Sequence, residues 1–415
     1  MKVSNLAVAV SLALGATAML AAPADAQRRQ RQQQAQPEGP QLSSEENEAM
    51  RPAIVAVQAQ DWAAAQAALP AAQAAATTPY GRFVVGQLQF QVGNGTQNPQ
   101  LQNQGIDAMI ASGAAPAASL NSLLGAQANA AIQANDFAKA EQALTRLSEA
   151  DPNNVDRLYQ LAEVKIRLNK NAEALPIYQR ILQLGEASGQ NAPEAHYRRT
   201  LELAREARQE QLATETMQKL LRAYPSPENW RTALVLYRQA TMNDDAMALD
   251  VRRLMRAAGA LTQAPDYVEF AQRLGRAGLP GEQKAVLEDG RRSRVIPEND
   301  SVASQMLSAA NESIAEDRPT LARSRTQALA GTARQARNMG DAYYAYGQYA
   351  EAVELYRAAL QKGGEDPNVI NTRLGASLAM AGQRAEAEAA FRTVTSGPYA
   401  PLANYWVLWL GRPAA

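Results

Sequence analysis

The sequence predicts an all-α fold, and two observations support this prediction. Small and aromatic residues recur in the pattern of two antiparallel helices, and the pattern returns at intervals of about 34 residues. Alanine is abundant and aromatic residues make up only 6% of the chain, as expected where helices pack closely. The 415 residues include no cysteine, so the core must be stabilised by packing and not by disulfides.

The first 26 residues have the composition of a secretory signal peptide. Lys2 supplies a short positive region, residues 6–22 form an apolar region, and residues 24–26, Ala-Asp-Ala, form a small-x-small cleavage site. Gly15 and Pro23 interrupt the stretch, which distinguishes it from a membrane-spanning helix. We therefore expect cleavage at this site, export to the bacterial periplasm, and no integral membrane segment in the mature protein.

Residues 27–43 are predicted to be a disordered linker rich in glutamine and arginine, because they carry almost no large apolar side chains. Arg28, Arg29 and Arg31 could contact an acidic surface, but a solvated spacer is the preferred interpretation. Over the whole chain, 41 Lys and Arg residues balance 41 Asp and Glu residues. This balance argues against binding to nucleic acid, which requires a basic excess.

The sequence offers few side chains for catalysis or metal binding. His196 is the only histidine and there is no thiol, so histidine- or cysteine-based zinc sites and cysteine nucleophiles are excluded. His196 lies among arginines and glutamates, so we interpret its surroundings as a solvated, ion-paired helix face. Residues 93–95, Gly-Asn-Gly, lack the preceding strand and third glycine of a phosphate loop, and we interpret them as a loop between helices. The sequence therefore predicts no enzyme, no cofactor and no metal.

The clearest repeat unit is GDAYYAYGQYAEAVELYRAAL, which begins at Gly340. Gly340 and Ala352 are small where two antiparallel helices cross closely, and Tyr343 and Tyr356 fill the space beside that crossing. Gly347 lies in the turn between the two helices. This stretch closely resembles the tetratricopeptide repeat.

Two in-register pairs of units support the resemblance. In the unit that follows the clearest one, Ala387 takes the place of Ala352, 35 residues later. In an earlier pair, Ala174 follows Ala140 by 34 residues, the repeat length of this family. Two independent pairs make a chance match unlikely, and the chain is identified as similar to exported bacterial tetratricopeptide repeat proteins.

The resemblance is strong over residues 121–184 and 333–395. It implies a right-handed superhelical solenoid of antiparallel helix pairs, in which the first helix of each pair lines a concave groove. The predicted organisation is a signal peptide (1–26), a linker (27–43), degenerate N-terminal helical repeats (44–120), repeats with drifting register (121–330), clear repeats (331–397), and a C-terminal capping helix and tail (398–415).

The C-terminal segment carries many large apolar residues, and two interpretations of it stay open. The stack of repeats exposes an apolar face that needs a cap, which the segment can supply. Tryptophan and tyrosine also favour partner or membrane interfaces. The residues concerned are Leu402, Tyr405, Trp406, Leu408, Trp409 and Leu410.

The resemblance places a candidate partner-binding site in the clear repeats. Arginines, an amide and an aromatic ring could bind an acidic or carboxylate-ended peptide, and a merely solvated helix face is the alternative. The Lys and Asn combination with which some family members hold a carboxylate is absent here, so that activity is not inferred. The candidates are Arg334, Arg337, Asn338, Asp341 and Tyr344, with Thr372 and Arg373 from the next repeat; the corresponding earlier residues are Asn129, Gln133, Tyr159, Glu163 and Arg167.

The resulting functional prediction is a non-catalytic periplasmic scaffold that binds protein or peptide partners through a repeat groove, in envelope assembly or export. The alternative is an accessory protein of polysaccharide export or a protein that handles cell-wall glycans. Peripheral association with the cell envelope is compatible with both.

Overall fold

The computed structural model describes residues 40–240 and 245–412, and all regular elements in these ranges are helices. Consecutive helices are joined by short turns and pack against each other as antiparallel pairs. The prediction of an all-α fold built from helix pairs is therefore confirmed. The predicted signal peptide (residues 1–26) and residues 27–39 of the predicted linker lie outside the described residues. No helix in the described ranges is long and apolar enough to cross a membrane.

The chain divides into two compact units, the first ending at Ala134 and the second beginning at Asn135. The predicted boundary between residues 120 and 121 falls within the last helix of the first unit. The first unit contains α1 (Ser44–Gln58), α2 (Trp62–Ala75), α3 (Pro79–Gly95), α4 (Pro99–Ala111) and α5 (Ala117–Gln133).

The second unit contains sixteen helices among its described residues. They are α6 (Phe137–Ala150), α7 (Val155–Arg167), α8 (Asn171–Ala187), α9 (Glu194–Glu206), α10 (Glu210–Ala223), α11 (Pro227–Ala240), α12 (Asp245–Ala257), α13 (Ala264–Arg276), α14 (Pro280–Arg292), α15 (Ser301–Asp317), α16 (Leu321–Ala330), α17 (Ala333–Ala345), α18 (Tyr349–Lys362), α19 (Pro367–Met380), α20 (Arg384–Arg392) and α21 (Ala400–Leu410).

In the first unit, a buried carboxylate fixes α1 to the start of α3. Glu46 is fully buried and accepts hydrogen bonds from the backbone N–H groups of Ser43 (3.0 Å), Thr77 (3.0 Å) and Thr78 (2.8 Å). Burial alone would raise the pKa of this carboxyl, but the hydrogen bonds from Thr78 and Ser43 outweigh it and lower the pKa to about 2. The charge of Glu46 is thus held by neutral donors at the N-terminus of a helix.

Gly93 and Gly95 were predicted to lie in a loop, but the structure gives them another role. The structure places residues 93–95 in the last turn of α3 and not in a loop. Gly93 is buried, and a Cβ there would lie 2.6 Å from the backbone nitrogen of Gln102 in α4. These small residues therefore allow a close helix crossing, and the expectation of a loop at residues 93–95 is wrong.

In the second unit, the small and aromatic residues of the clear repeats occupy their predicted places. A Cβ on Gly340 would lie 2.8 Å from the ring of Tyr356, and one on Gly375 would lie 2.6 Å from the ring of Phe391. Ala352 and Tyr356 are completely buried. The ring of the second helix thus packs directly on the backbone of the first, which confirms the physical reason for this spacing.

Helix α12 is buried on all sides, unlike a helix at the surface of a repeat stack. Its residues 247–255 are all buried, and they include the charged residues Asp250, Arg252 and Arg253. Residues much later in the sequence contact this helix. The hydroxyl of Tyr399 donates to Asp250 (3.1 Å), and the indole N–H of Trp409 donates to the carbonyl of Ala257 (2.9 Å). The C-terminal helices of the second unit therefore pack around its middle.

The C-terminal helix α21 packs on α19 and α20 and also contacts α10. Trp406 is almost completely buried and stacks on Phe391, with ring centroids 5.5 Å apart. Leu402, Tyr405 and Leu410 are also buried. The large apolar residues of this segment therefore pack within the second unit.

Candidate functional site

A cavity of about 510 Å³ opens between the buried helix α12 and helices α13, α17 and α19 of the second unit. Four arginines and one carboxylate contribute to its walls, so cationic side chains predominate at its surface. We call it the arginine cavity. Its lining residues are Ala246, Leu249, Arg253, Arg273, Arg276, Ala277, Gly278, Leu279, Asn338, Asp341, Ala342 and Arg373.

Two of the four arginines are neutralised by buried carboxylates. Arg253 donates to both oxygens of Glu282 at 2.8–3.1 Å and to Asp250 at 3.0 Å. Arg373 donates to Asp250 at 3.0 Å and to Asp341 at 2.8 Å. The side chains of these pairs are at least nine-tenths buried, with the exception of Asp341. The surrounding helices therefore fix the geometry of the pairs.

The environment of Arg373 keeps its guanidinium charged. Burial alone would lower the pKa of Arg373, but the negative charges of Asp250 and Asp341 raise it above its ordinary value. Asp341 also accepts a hydrogen bond from the hydroxyl of Tyr356 at 2.6 Å. The same arrangement occurs in an earlier repeat, where Tyr178 donates to Glu163 at 2.5 Å. An acidic residue bonded by the core tyrosine is therefore a shared feature of these repeats.

Arg276 differs from the other arginines of the cavity. It is the last residue of α13, it is exposed, and it forms no ion pair or hydrogen bond within the part of the chain that the structure describes. Asn338 lies on the cavity wall and uses its side-chain oxygen to accept from Arg337 at 2.9 Å, which leaves its amide nitrogen as a donor. One guanidinium and one amide are thus available to an anionic group in the cavity.

The predicted site residues have different environments. Arg337 and Arg334 both pair with Glu365, with nitrogen–oxygen distances of 2.5 and 3.2 Å. Asn338, Asp341 and Arg373 lie together on the wall of the arginine cavity. The structure thus brings three of the predicted residues together and gives two others a common carboxylate partner.

Tyr344 and Thr372 were expected on an open concave surface, but both are buried. The guanidinium of Arg253 lies 4.5 Å above the ring of Tyr344, and burial raises the pKa of this tyrosine. The hydroxyl of Thr372 donates to the carbonyl of Asn368 in its own helix at 2.8 Å. For Tyr344 the physical reason is α12, because Arg253 of this helix covers the tyrosine ring.

The earlier repeats present an aromatic surface. Tyr159 is 41% exposed and stacks on His196, with ring centroids 5.0 Å apart. Tyr178 packs edge-on against the same imidazole, and burial lowers the pKa of His196. The expectation of an ion-paired environment holds for the neighbouring Arg199, which pairs with Glu202 at 2.7 Å, whereas His196 itself contacts aromatic rings.

The fold and the site define a class of protein, an all-α repeat protein. In its helix pairs a small residue of one helix packs against an aromatic ring of the other, and charged pairs contribute to the walls of its arginine cavity. A family model described as tetratricopeptide repeat matches residues 131–196. The presence of tetratricopeptide repeats is therefore confirmed, in the region where one of the two in-register pairs was recognised. No curated protein matches the sequence.

Solved structures, two of which are described as tetratricopeptide repeat structures, are also similar to this chain. A tetratricopeptide repeat protein from Parabacteroides merdae is 15% identical, with 71% of this chain and 100% of that chain covered and a TM-score of 0.28. Yeast Tom70 is 10% identical, with 75% and 84% covered and a TM-score of 0.24. The tetratricopeptide repeat domain of P58(IPK) is 14% identical, with 81% and 88% covered and a TM-score of 0.24.

Proposed function

We propose that this protein is a non-catalytic scaffold that binds an acidic segment of a protein partner in the arginine cavity. The observation that carries the proposal is the unpaired, exposed guanidinium of Arg276 on a cavity wall where the other charges are already paired. A free arginine beside paired ones attracts a carboxylate without competition from an internal partner.

The arrangement supports binding more than catalysis. The carboxylates nearest the cavity, Asp250, Glu282 and Asp341, each accept hydrogen bonds from arginine. None of the lining residues is a histidine, serine or threonine that could act as a base or nucleophile. A rigid, positively charged recess can hold a carboxylate side chain but offers it no reactive group.

The location that we propose is the periplasm, and the process is the assembly or export of envelope components. The support is the signal-like sequence of residues 1–26, with its small-x-small site at residues 24–26. Sequencing the N-terminus of the protein purified from a cell envelope fraction tests this part. A mature chain that begins at Gln27 is the expected result, and a chain that retains residues 1–26 in the cytosol would contradict it.

The binding proposal is tested with two peptides of equal length, acetyl-tetraglutamate amide and acetyl-tetraglutamine amide, by isothermal titration calorimetry on the full chain. We expect the acidic peptide to bind and the neutral one not to bind. Arg276→Ala should weaken the acidic peptide at least tenfold, a loss of about 1.4 kcal/mol, because it removes the unpaired charge. Higher salt should weaken binding further, since the guanidinium is exposed and therefore screened.

The matched control is Arg323→Ala. Arg323 is also an exposed arginine, on helix α16, which packs on α17, but it does not line the cavity. Its substitution should leave the affinity unchanged. Equal losses in the two variants would mean that the peptide responds only to net charge, and the arginine cavity would then not be the binding site.

A further inference from the structure

A second cavity, of about 250 Å³, lies within the first unit and has a different chemistry. Its walls come from one face of α3 and the facing side of α5, and its floor from α4. No charged side chain lines it. We call it the amide cavity. Its lining residues are Phe83, Gln87, Phe90, Gln91, Asn94, Ile106, Met109, Ala118, Ser119, Ser122, Leu123 and Ala126.

Three side-chain amides stand in a row along the α3 wall. Gln87, Gln91 and Asn94 follow each other at spacings of four and three residues, which places them on one face of the helix. Phe83 and Phe90 share this face, so two aromatic rings lie beside the three amides. The opposite wall adds the hydroxyl groups of two serines, so every polar group of the cavity is neutral.

Gln87 is the decisive residue of this cavity. Only 8% of its surface is exposed, it lines the cavity, and it makes no side-chain hydrogen bond in the described ranges, so its amide is open to the cavity. The side-chain oxygen of Gln91 is buried without a hydrogen-bond partner there. Buried amides are normally paired, because leaving them unpaired forfeits the bonds that they make in water. The amides of Gln87 and Gln91 are therefore available to a ligand in the cavity.

The shape of the cavity follows from the packing of α3 on α4. A Cβ on Gly86 would lie 2.8 Å from the carbonyl oxygen of Gly105, so these two helices cross in direct backbone contact. The close crossing brings Ile106 and Met109 up to the floor of the cavity. Helix α5 is linked to α4 by a hydrogen bond from Gln127 to Asp107 at 2.8 Å. The walls are therefore fixed by contacts outside the cavity.

We propose that the amide cavity is a second binding site, which takes an uncharged peptide segment through one aromatic or large aliphatic side chain and an adjacent backbone amide. A primary amide has one acceptor and two donor hydrogens, so it matches the C=O and N–H of a peptide bond. The apolar floor accepts the side chain, and the volume lies between that of a cavity that holds benzene, about 150 Å³, and common ligand pockets of about 300–1,000 Å³. An ionised group would be desolvated without a counter-charge and is rejected.

The proposal is tested on the full chain with N-acetyl-L-phenylalaninamide as the probe. Binding of the probe is monitored by NMR through the ¹³C-methyl resonances of the methionine residues. Met109 lines the cavity, whereas Met50 lies in a separate buried cluster of the same unit and serves as the internal control. We expect the Met109 resonance to shift saturably and the Met50 resonance to stay in place. N-acetyl-L-alaninamide, which lacks the apolar side chain, and N-acetyl-L-phenylalanine, which carries a carboxylate, should bind at least tenfold more weakly.

A pair of matched variants identifies the role of the amide. Gln87→Leu removes the unpaired amide from the cavity, and Gln89→Leu removes another buried glutamine of the same helix that does not line it. We expect Gln87→Leu to weaken the probe roughly fivefold, the effect of about one hydrogen bond, and Gln89→Leu to leave it unchanged. Equal effects of the two variants, an unmoved Met109 resonance, or equal binding of the carboxylate probe would each overturn the proposal.

The two binding proposals fail independently. Arg276 belongs to the second unit, so Arg276→Ala should leave the probe-induced shift of the Met109 resonance unchanged. Gln87 belongs to the first unit, so Gln87→Leu should leave binding of the tetraglutamate peptide unchanged. Loss of probe binding at the amide cavity would therefore say nothing against the arginine cavity.

Discussion

The buried carboxylate of the first unit, Glu46, is held by backbone N–H groups and hydroxyls, whereas the buried carboxylates Asp250 and Glu282 of the second unit are held by arginines. The donors of Glu46 come from two short segments, residue 43 and residues 77–78. The network around Asp250 instead joins residues that are 123 positions apart in the chain. One unit therefore stabilises buried charge with polar groups at helix ends, and the other with arginines, one of which lies on a helix far along the chain.

This difference predicts that the second unit is the more sensitive to loss of one charge. Arg253→Met leaves Glu282 buried without its bidentate partner, and breaking a buried pair in this way costs about 3–5 kcal/mol. Urea unfolding combined with hydrogen exchange of each unit measures the loss. Arg357→Met is the control, because Arg357 and Glu386 form an ion pair in which both side chains are about half exposed, and its loss should cost less than about 1 kcal/mol.

The double variant Arg253→Met with Glu282→Met sharpens this prediction. Replacing both members of a buried pair by apolar residues restores much of the stability that the single change removes. Asp250 keeps Arg373 as a partner in the double variant. If the double variant is as unstable as the single one, the cost lies in packing and not in the uncompensated charge of Glu282.

The second prediction concerns Glu46 and should distinguish the first unit by its response to acid. The pKa of Glu46 is about 2 in the folded protein and 4.5 ordinarily, so its stabilising contribution is complete above pH about 4.5 and is lost as the pH falls towards 2. Glu46→Gln should cost about 2 kcal/mol at neutral pH, because charge-assisted hydrogen bonds are lost, and should remove this pH dependence. Hydrogen exchange of α1 and α3 between pH 5 and pH 2 tests both effects.

Glu45→Gln is the matched control for Glu46. Glu45 precedes it in the same helical turn but is exposed. Its substitution should leave both the stability and its dependence on acid nearly unchanged. The comparison between the units fails if Glu45→Gln and Glu46→Gln behave alike.

The third prediction is a gain in stability in the first unit. Gln87→Leu should stabilise the ligand-free protein by about 1 kcal/mol, because a side chain that is only 8% exposed and has no hydrogen-bond partner in the described ranges is replaced by an apolar one. Gln89→Leu should do the same, since its side-chain oxygen is also buried without a partner in the described ranges. Thermal unfolding of both variants gives the measurement. Destabilisation by Gln87→Leu would mean that its amide already has a partner within the fold.

The helix pairs were predictable from sequence because their determinants lie within one repeat. The Gly340–Tyr356 and Gly375–Phe391 contacts join positions 16 residues apart, and the same spacing recurs in the next unit. The sequence also placed Asn338, Asp341 and Arg373 near one another, since the repeat register brings adjacent first helices side by side. These are local consequences of a repeating pattern.

The remainder of the site depends on contacts that no repeat spacing encodes. The repeat register drifts around Asp250, so the pairing of Asp250 with Arg373 could not be inferred from the sequence. The burial of Tyr344 was not predicted for the same reason. Arg276 was missed because its role comes from lacking a partner, which only the folded structure shows. Gln87 left one signal: it shares a helical face with Phe83 and Phe90, which is unusual for a solvated glutamine.

The smallest expected effect separates binding from stability in the second unit. Arg276→Ala should change the free energy of unfolding by less than about 0.5 kcal/mol, because the side chain is exposed and unpaired among the described residues. Arg273→Ala, one turn earlier on α13, should cost somewhat more, since Arg273 pairs with Glu269 at 3.4 Å. Urea unfolding of both variants, beside their affinity for the acidic peptide, decides the matter. A large loss of stability in Arg276→Ala would show that Arg276 supports the fold, and the arginine cavity would then have no guanidinium left to bind a partner.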